Sequence, residues 1–442
     1  VGIEAAEGLR ILRLVQSSGI AFALLGDVQG SLERGYFGDL DLLVAAPRLG
    51  ALRSFLAEKL RVDGYVLFNF IQNEYSHQLY WRKPGSGEVL QIDLLPGLTY
   101  RGLPYLRLPL SAAGLEHSNG FPVVPEAELA MYRMLRGSLW QGSLEPRYGP
   151  FLAKACRGQY AYLFRRLGGV IGSSQARYLL DTAAGGLNRS LMRVRWHFLW
   201  RALRGHPLSA LLRILHHLRL LAGRFREYPG LLVVLLGADG SGKTSVARGL
   251  AELDRPLMKV VRFHLFPGWL PLGGRGGRAG EAVTAPHAAR NRSLPLSIVK
   301  MLAWYLEFSL GHAVRLWRPL EQGALVVFDR YAYDLLVDPR RYRYGGPSWL
   351  ARLVARAVPK PDLCIVLDAP ATQLRARKNE VSFAELQRHC REYVELAGSL
   401  EKARVVDAAR PLAEVVAAVQ DLILTVLAGR AEKRLGRMRS DG

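Results

Sequence analysis

Cysteine is scarce in this chain. The 442 residues hold three, Cys156, Cys364 and Cys390, far apart from one another. That count excludes a disulfide framework and a thiolate zinc site, and it suits a reducing, cytoplasmic compartment. Long apolar runs are missing as well: the Trp- and Leu-rich stretch from Trp196 to Leu221 is interrupted by Arg201, Arg204, Pro207, Arg213 and Arg219. No segment therefore reads as a membrane span or a signal peptide. Acidic residues are also in short supply, with 38 Asp and Glu against 60 Lys and Arg, a net charge of +22. The deficit is local. Residues 1–140 carry 13 basic and 14 acidic groups, residues 141–228 carry 15 and 3, and residues 229–442 carry 32 and 21. What is present is ordinary for a globular protein of two or three domains, half hydrophobic and 22% charged.

The most specific stretch is LLVVLLGADGSGKTSVARGL, residues 231–250. Six apolar residues read as a strand buried on both faces, and a helical pattern starts at Lys243. Between them lies Gly237-x-x-x-x-Gly242-Lys243-Thr244, a complete P-loop in the context that motif requires. Its glycines let the backbone close around an anion, its amides point at phosphate oxygens, and the following helix adds its positive end. Gly237, Asp239, Gly240, Ser241, Gly242, Lys243, Thr244 and Ser245 are thus the expected ATP-binding set, with Lys243 on the β- and γ-phosphates and the Thr244 hydroxyl on Mg²⁺.

Further strands follow at 260–263, 324–328, 361–368 and 404–407, separated by helical stretches and by a Gly-, Pro- and Arg-rich loop from Pro267 to Pro295. This alternation predicts an α/β fold with a doubly wound parallel sheet. Asp329 and Arg330 close one strand at its carboxyl end, where open α/β sheets bind ligands. There Asp329 can assist a metal and Arg330 can hold an acceptor phosphate with its planar fork. Arg375 and Arg377 lie on a cationic segment suited to a lid that neutralises a transferring phosphoryl group. The P-loop, Asp-Arg-Tyr, Pro-Asp-Leu and Val-Val-Asp-Ala segments, in this order, resemble the thymidylate kinase family over residues 229–428. The resemblance implies ATP, Mg²⁺, a nucleoside monophosphate acceptor and a possible homodimer. One segment departs from the family: where Arg-Glu-Pro-Gly is usual, this chain has His264-Leu265-Phe266-Pro267-Gly268.

The first 140 residues read differently. A helical stretch leads to a strand at Ala21 to Leu25, then Gly26-Asp27, and then Gly38 to Val44. Asp39 and Asp41 are two apart on that strand and share a face. Two adjacent carboxylates are costly without a cation between them, and hard oxygen ligands suit Mg²⁺. A hairpin follows, with its turn at Pro84 to Gly87 and its second strand carrying Asp93. A strand, a turn glycine, an Asp-x-Asp strand and a third Asp on a later strand resemble the nucleotidyltransferase superfamily. The resemblance implies an α+β domain in which Asp39, Asp41 and Asp93 hold two metals, with Gly26 as the turn glycine. Asp27 stands where that family usually has Gly or Ser.

Residues 141–228 are Arg-rich and helical in period, and are expected to form an all-α connector whose leucines pack inward and whose arginines stay solvated. Docking on nucleic acid or an anionic membrane is the less favoured reading. Residues 429–442 are expected to be a basic, frayed tail. The chain thus reads as a phosphotransferase fused to a nucleotidyltransferase-like domain. The rivals are a kinase with an inactive N-terminal substrate-binding module, and an ATP-gated switch on nucleic acid or membrane.

Overall fold

The computed structural model describes residues 2–440 apart from 74, 85–87, 109, 111–113, 186–189, 206, 253–257, 270–291 and 380. Most of the expected 267–295 loop and the tip of the expected 84–87 turn lie outside the described residues. The chain forms two compact units, one of Val1–Gly223 with Ala431–Gly442 and one of Arg224–Arg430.

The first unit is built on a seven-stranded sheet. Its strands in chain order are β1 (Phe22–Leu24), β2 (Asp39–Val44), β3 (Val66–Gln72), β4 (His77–Arg82), β5 (Val89–Leu95), β6 (Glu116–Ser118) and β7 (Phe121–Val123). Their spatial order is β6-β7-β1-β2-β5-β4-β3. β2 and β5 run parallel with Asp41 opposite Asp93, and β4 and β5 form the expected antiparallel hairpin with Gln78 opposite Asp93.

Side chains alternate across a strand, so this sheet has two apolar faces and both need cover. Phe22, Leu24, Leu40, Leu42, Val44, Ile92 and Leu94 face one layer, which includes the helices Ala5–Ser17 and Leu49–Val62 through Leu12, Leu52 and Leu56. Ala23, Leu25, Leu43 and Leu95 face the other layer. That layer is the helix Glu126–Arg136 followed by the helices between Gly149 and Gly205, contributing Met131, Leu152, Leu163, Leu180 and Phe198. The segment expected to be a connector is therefore the second cover of the sheet. Its inward residues were needed for a face whose exposure would be prohibitive.

The expected packing of its leucines fails beyond residue 205. In the helix Pro207–Arg226, Ala210 is buried and Ile214 packs against the core, while Leu208, Leu211, Leu212, Leu215 and Leu218 are exposed. The expected frayed tail is also different. A helix runs from Leu412 to Ser440, and Ala431 and Leu435 on it are buried in the first unit's core. Its stretch Leu412–Arg437 is long and apolar enough to cross a membrane, and Val415, Val419, Ile423 and Leu427 are among the minority of its positions that are buried in protein.

The second unit is a five-stranded parallel sheet of β8 (Leu231–Leu236), β9 (Val260–Phe263), β10 (Leu325–Phe328), β11 (Leu363–Asp368) and β12 (Ala403–Asp407), in the order β9-β10-β8-β11-β12. All four pairings are parallel. β8 is central and buried at every position, as its unbroken apolar run requires. β8 lies between β10 and β11, and the chain fills one side of it with β9 and β10 before crossing to the other side with β11 and β12. The crevice at the carboxyl end of β8 is the place where such a sheet binds ligands.

Candidate functional site

Two groups of residues stand out, one in each unit. In the second unit the P-loop joins β8 to the helix Lys243–Ala251. Gly237 and Gly240 have φ of 142° and 85°. A Cβ on Gly237 would meet the Leu367 carbonyl oxygen at 2.5 Å, and one on Gly240 the Leu374 carbonyl oxygen at 2.7 Å, so no side chain fits at either position. Lys243 is buried and its ammonium closes the loop on itself, donating to the carbonyl oxygens of Gly237 at 2.6 Å and Ala238 at 3.1 Å. Burial, and then the neighbouring Arg330, push its pKa down to about 8.

The Thr244 hydroxyl donates to Asp329 Oδ2 at 2.9 Å, and His264 Nδ1 lies 2.6 Å from Asp329 Oδ1. Arg330 donates to Asp239 Oδ1 at 3.0 Å, and Arg341 donates to the other oxygen of the same carboxylate. Burial works against ionisation of Asp239, but Lys243, Arg341 and Arg330 outweigh it and hold the carboxyl well below its usual range. Asp334 is buried and accepts from the Tyr331 amide at 2.7 Å and from the Tyr393 hydroxyl at 2.6 Å, which fixes the turn after Arg330.

A cavity of about 660 Å³ opens over the loop and is lined by Lys243, Thr244, Arg330, Arg377, Lys378 and Arg410 among others. Gly240, Ser241, Gly242 and Ser245 also border it. Arg377 additionally donates to the Ala408 carbonyl at 3.0 Å. Arg375 is not among the lining residues and donates to the Val381 carbonyl at 3.4 Å. A cavity with this density of cations, one of them on a P-loop, is chemically suited to the oxygens of a polyphosphate.

Sequence reasoning did not find Arg341, Arg410 or the His264 contact. The run Arg340-Arg341-Tyr342-Arg343-Tyr344 was the available signal for Arg341, but its partner Asp239 is 102 residues away. Asp239 itself was expected among the ATP-binding residues, and here its carboxylate is engaged by the two arginines.

In the first unit Asp39, Asp41 and Asp93 each offer an oxygen within 4.8 Å of the others, with Asp39 exposed, Asp41 half-buried and Asp93 buried. They lie on the sheet face shared with Leu43 and Leu95, toward the helix Glu126–Arg136. Gln78 and Gln91 donate to the two oxygens of Asp93 at 2.8 and 2.9 Å. Burial, then Asp39 and Asp93, raise the pKa of Asp41, while Arg136 and Arg133 partly offset them. Burial raises Asp93 as well, against the two glutamine hydrogen bonds. Mutual repulsion in a partly desolvated site is what a divalent cation relieves. Asp27 has a local role, since it caps the short helix Val28–Glu33 by accepting from the Gly30 amide at 2.8 Å. Gly26 has open space around it.

No family model matches the chain. It is 31% identical over 201 residues to a protein of Pyrococcus abyssi described as a probable thymidylate kinase, covering 42% of this chain and 92% of that protein. A thymidylate kinase of Xylella fastidiosa is 30% identical over 210 residues, 45% of this chain and 88% of that protein. A probable thymidylate kinase of Thermococcus kodakarensis is 28% identical over 224 residues, 45% of this chain and 98% of that protein. These shares are about the size of the second unit.

Proposed function

Since the chain belongs, through its P-loop unit, to the thymidylate kinase family, we propose that this unit transfers the γ-phosphoryl group of ATP to a nucleoside monophosphate. The observation that carries the reading is the cavity in which Lys243, Thr244, Arg330 and Arg377 meet over the loop. A plain ATPase needs only a positioned water; a second phosphate-binding arginine at the carboxyl end of β10 suits an acceptor.

The chain's own residues divide the work. The loop amides and Lys243 hold the donor phosphates once the Lys243 ammonium exchanges two backbone carbonyls for phosphate oxygens. Thr244 and Asp329 are the residues fitted to hold Mg²⁺, since a hydroxyl and a carboxylate already meet there at 2.9 Å. Bound there, the ion would supply neutralisation of charge on the transferring group. Arg330 leaves Asp239 for the acceptor phosphate, and Arg377 screens the phosphates from the far side of the cavity. His264, standing where the family usually has Arg-Glu, is spent on Asp329, so thymidylate is a poor acceptor relative to the true one. Incubation with ATP, Mg²⁺ and a panel of nucleoside monophosphates, read by mass shift, tests this. Turnover of none of them would overturn the reading, and efficient use of thymidylate would overturn its acceptor clause.

A second reading concerns the first unit, and rests on the three carboxylate oxygens within 4.8 Å. It is a nucleotidyltransferase-like domain in which Asp39, Asp41 and Asp93 would hold two metals, and the metals would supply activation of a hydroxyl and charge stabilisation for departing pyrophosphate. The rival is a binding module of the same fold without catalysis. Isothermal titration with Mn²⁺ separates the two: a component of uptake that is lost in Asp41→Asn supports the clamp, and equal uptake by both proteins leaves the binding module.

A further inference from the structure

Between Asp181 and Glu227 the chain has nine arginines and no carboxylate. Two consecutive helices fill most of this interval, Met192–Gly205 and Pro207–Arg226. Each buries one arc and exposes another that is also apolar. On the first, Val194 and Phe198 are buried on one side. Met192, Trp196, Trp200 and Leu203 lie on the opposite side within about 80° of the helix, with exposures of 38%, 63%, 52% and 42%. On the second, Ala210 and Ile214 pack into the core. Leu208, Leu211, Leu212, Leu215 and Leu218 fall in a separate arc of about 120°, each at least 51% exposed. Arg193, Arg204 and Arg219 are exposed on or beside these arcs, Arg213 is exposed farther round its helix, and the Arg204 guanidinium sits 5.1 Å from the Trp200 ring centre.

Nine large apolar side chains exposed on two consecutive helices are the kind of feature that marks an interaction surface. An anionic partner suits this surface, because no carboxylate between Asp181 and Glu227 balances the arginines, and one apolar to some depth suits it, because the leucines carry no polar group. A lipid interface has both properties: leucines enter the acyl boundary, tryptophans sit at headgroup level and arginines pair with anionic headgroups. Nucleic acid satisfies the arginines and could stack on the tryptophans, but offers a row of five leucines nothing. We propose that the helices Met192–Gly205 and Pro207–Arg226 dock the protein on an anionic lipid bilayer, lying in the plane of its interface.

The test is co-sedimentation of the full chain with vesicles of phosphatidylcholine, with and without phosphatidylglycerol, at low and high salt. Binding is expected to the anionic vesicles only and to weaken with salt. Replacing Leu208, Leu211 and Leu215 together by Gln should reduce the partition coefficient on the order of a hundredfold, and Arg204→Gln or Arg219→Gln about fivefold each. All these positions are exposed, so the thermal melting curve should not move. The vesicle-induced blue shift of tryptophan fluorescence should vanish in Trp196→Phe/Trp200→Phe while sedimentation persists. No binding to anionic vesicles at low salt overturns the proposal, as does binding that the leucine variant leaves intact. Binding of a single-stranded oligonucleotide, or self-association lost in the leucine variant, with no vesicle binding, would overturn it in favour of nucleic acid or a second copy.

Discussion

Asp239 is a sharp place to perturb the P-loop unit, because one carboxylate there holds two arginines. In Asp239→Asn the shape is kept and the charge is lost, which removes the carboxylate that Arg330 and Arg341 share and that faces Lys243. The side chains are 10–18% exposed, so the loss falls in the lower part of the range for breaking a buried ion pair, about 3 kcal/mol. For a unit of this size that lowers the melting temperature by roughly 6–12 °C. Loss of the carboxylate has a second, opposite effect. An anion entering the wild-type cavity has to draw Arg330 away from Asp239, and in the variant it does not. Pyrophosphate should therefore raise the melting temperature of Asp239→Asn by more than it raises that of the wild type. Calorimetric scans of both full-length proteins across a pyrophosphate series measure both effects. A variant that melts with the wild type, or gains no more from pyrophosphate, would show that the arginines are not held in check by Asp239 and would sink the account.

Lys243→Ala should lower phosphoryl transfer at least a hundredfold while leaving the fold intact, because it removes a transition-state cation from a water-excluded loop; single-turnover kinetics with a circular dichroism check decides. Asp41→Asn should abolish Mn²⁺ uptake by the first unit and any nucleotidyl transfer while the Lys243-dependent reaction continues, which parallel assays of the two reactions on one preparation would reveal. Removing one of three mutually repelling carboxylates should also stabilise the metal-free first unit, seen as a higher denaturant midpoint. His77 is buried beside Arg53, and burial, then that arginine, push its pKa down from 6.5 to about 4. The unfolded chain therefore binds the extra proton first. Its contribution is complete above about pH 6.5 and is lost as pH falls toward 4, a swing of about 3 kcal/mol. Unfolding free energies across that window should flatten in His77→Gln, and an unchanged pH slope would refute the assignment.

How much of this could be read from the residues depended on distance along the chain. The P-loop was legible because its chemistry needs contiguous residues: the strand, three glycines and Lys243 are all within one stretch. Asp39 and Asp41 were legible as a pair by strand alternation, and Asp93 by its position on the hairpin. The Arg341 and Asp239 contact was not, since nothing local marks a partner across 102 residues. The helices after residue 141 misled for another reason. Apolar periodicity states that a face is apolar, not what covers it, and the helix Pro207–Arg226 has two such arcs. Pattern alone could not say that Ala210 and Ile214 turn inward and the five leucines outward, or that the helices before it cover the sheet face carrying Leu43 and Leu95.

The first unit closes its core with Ala431 and Leu435, although the rest of it ends near residue 223. A ribosome making about 10 residues per second needs roughly 20 s to cross the interval between them. During that time the nascent first unit lacks Ala431 and Leu435, and the apolar side chains they cover in the finished core have no such cover. Truncation anywhere in the second unit therefore harms the first as well, and a stop codon that spares every residue of Asp39, Asp41 and Asp93 still leaves their scaffold unfinished.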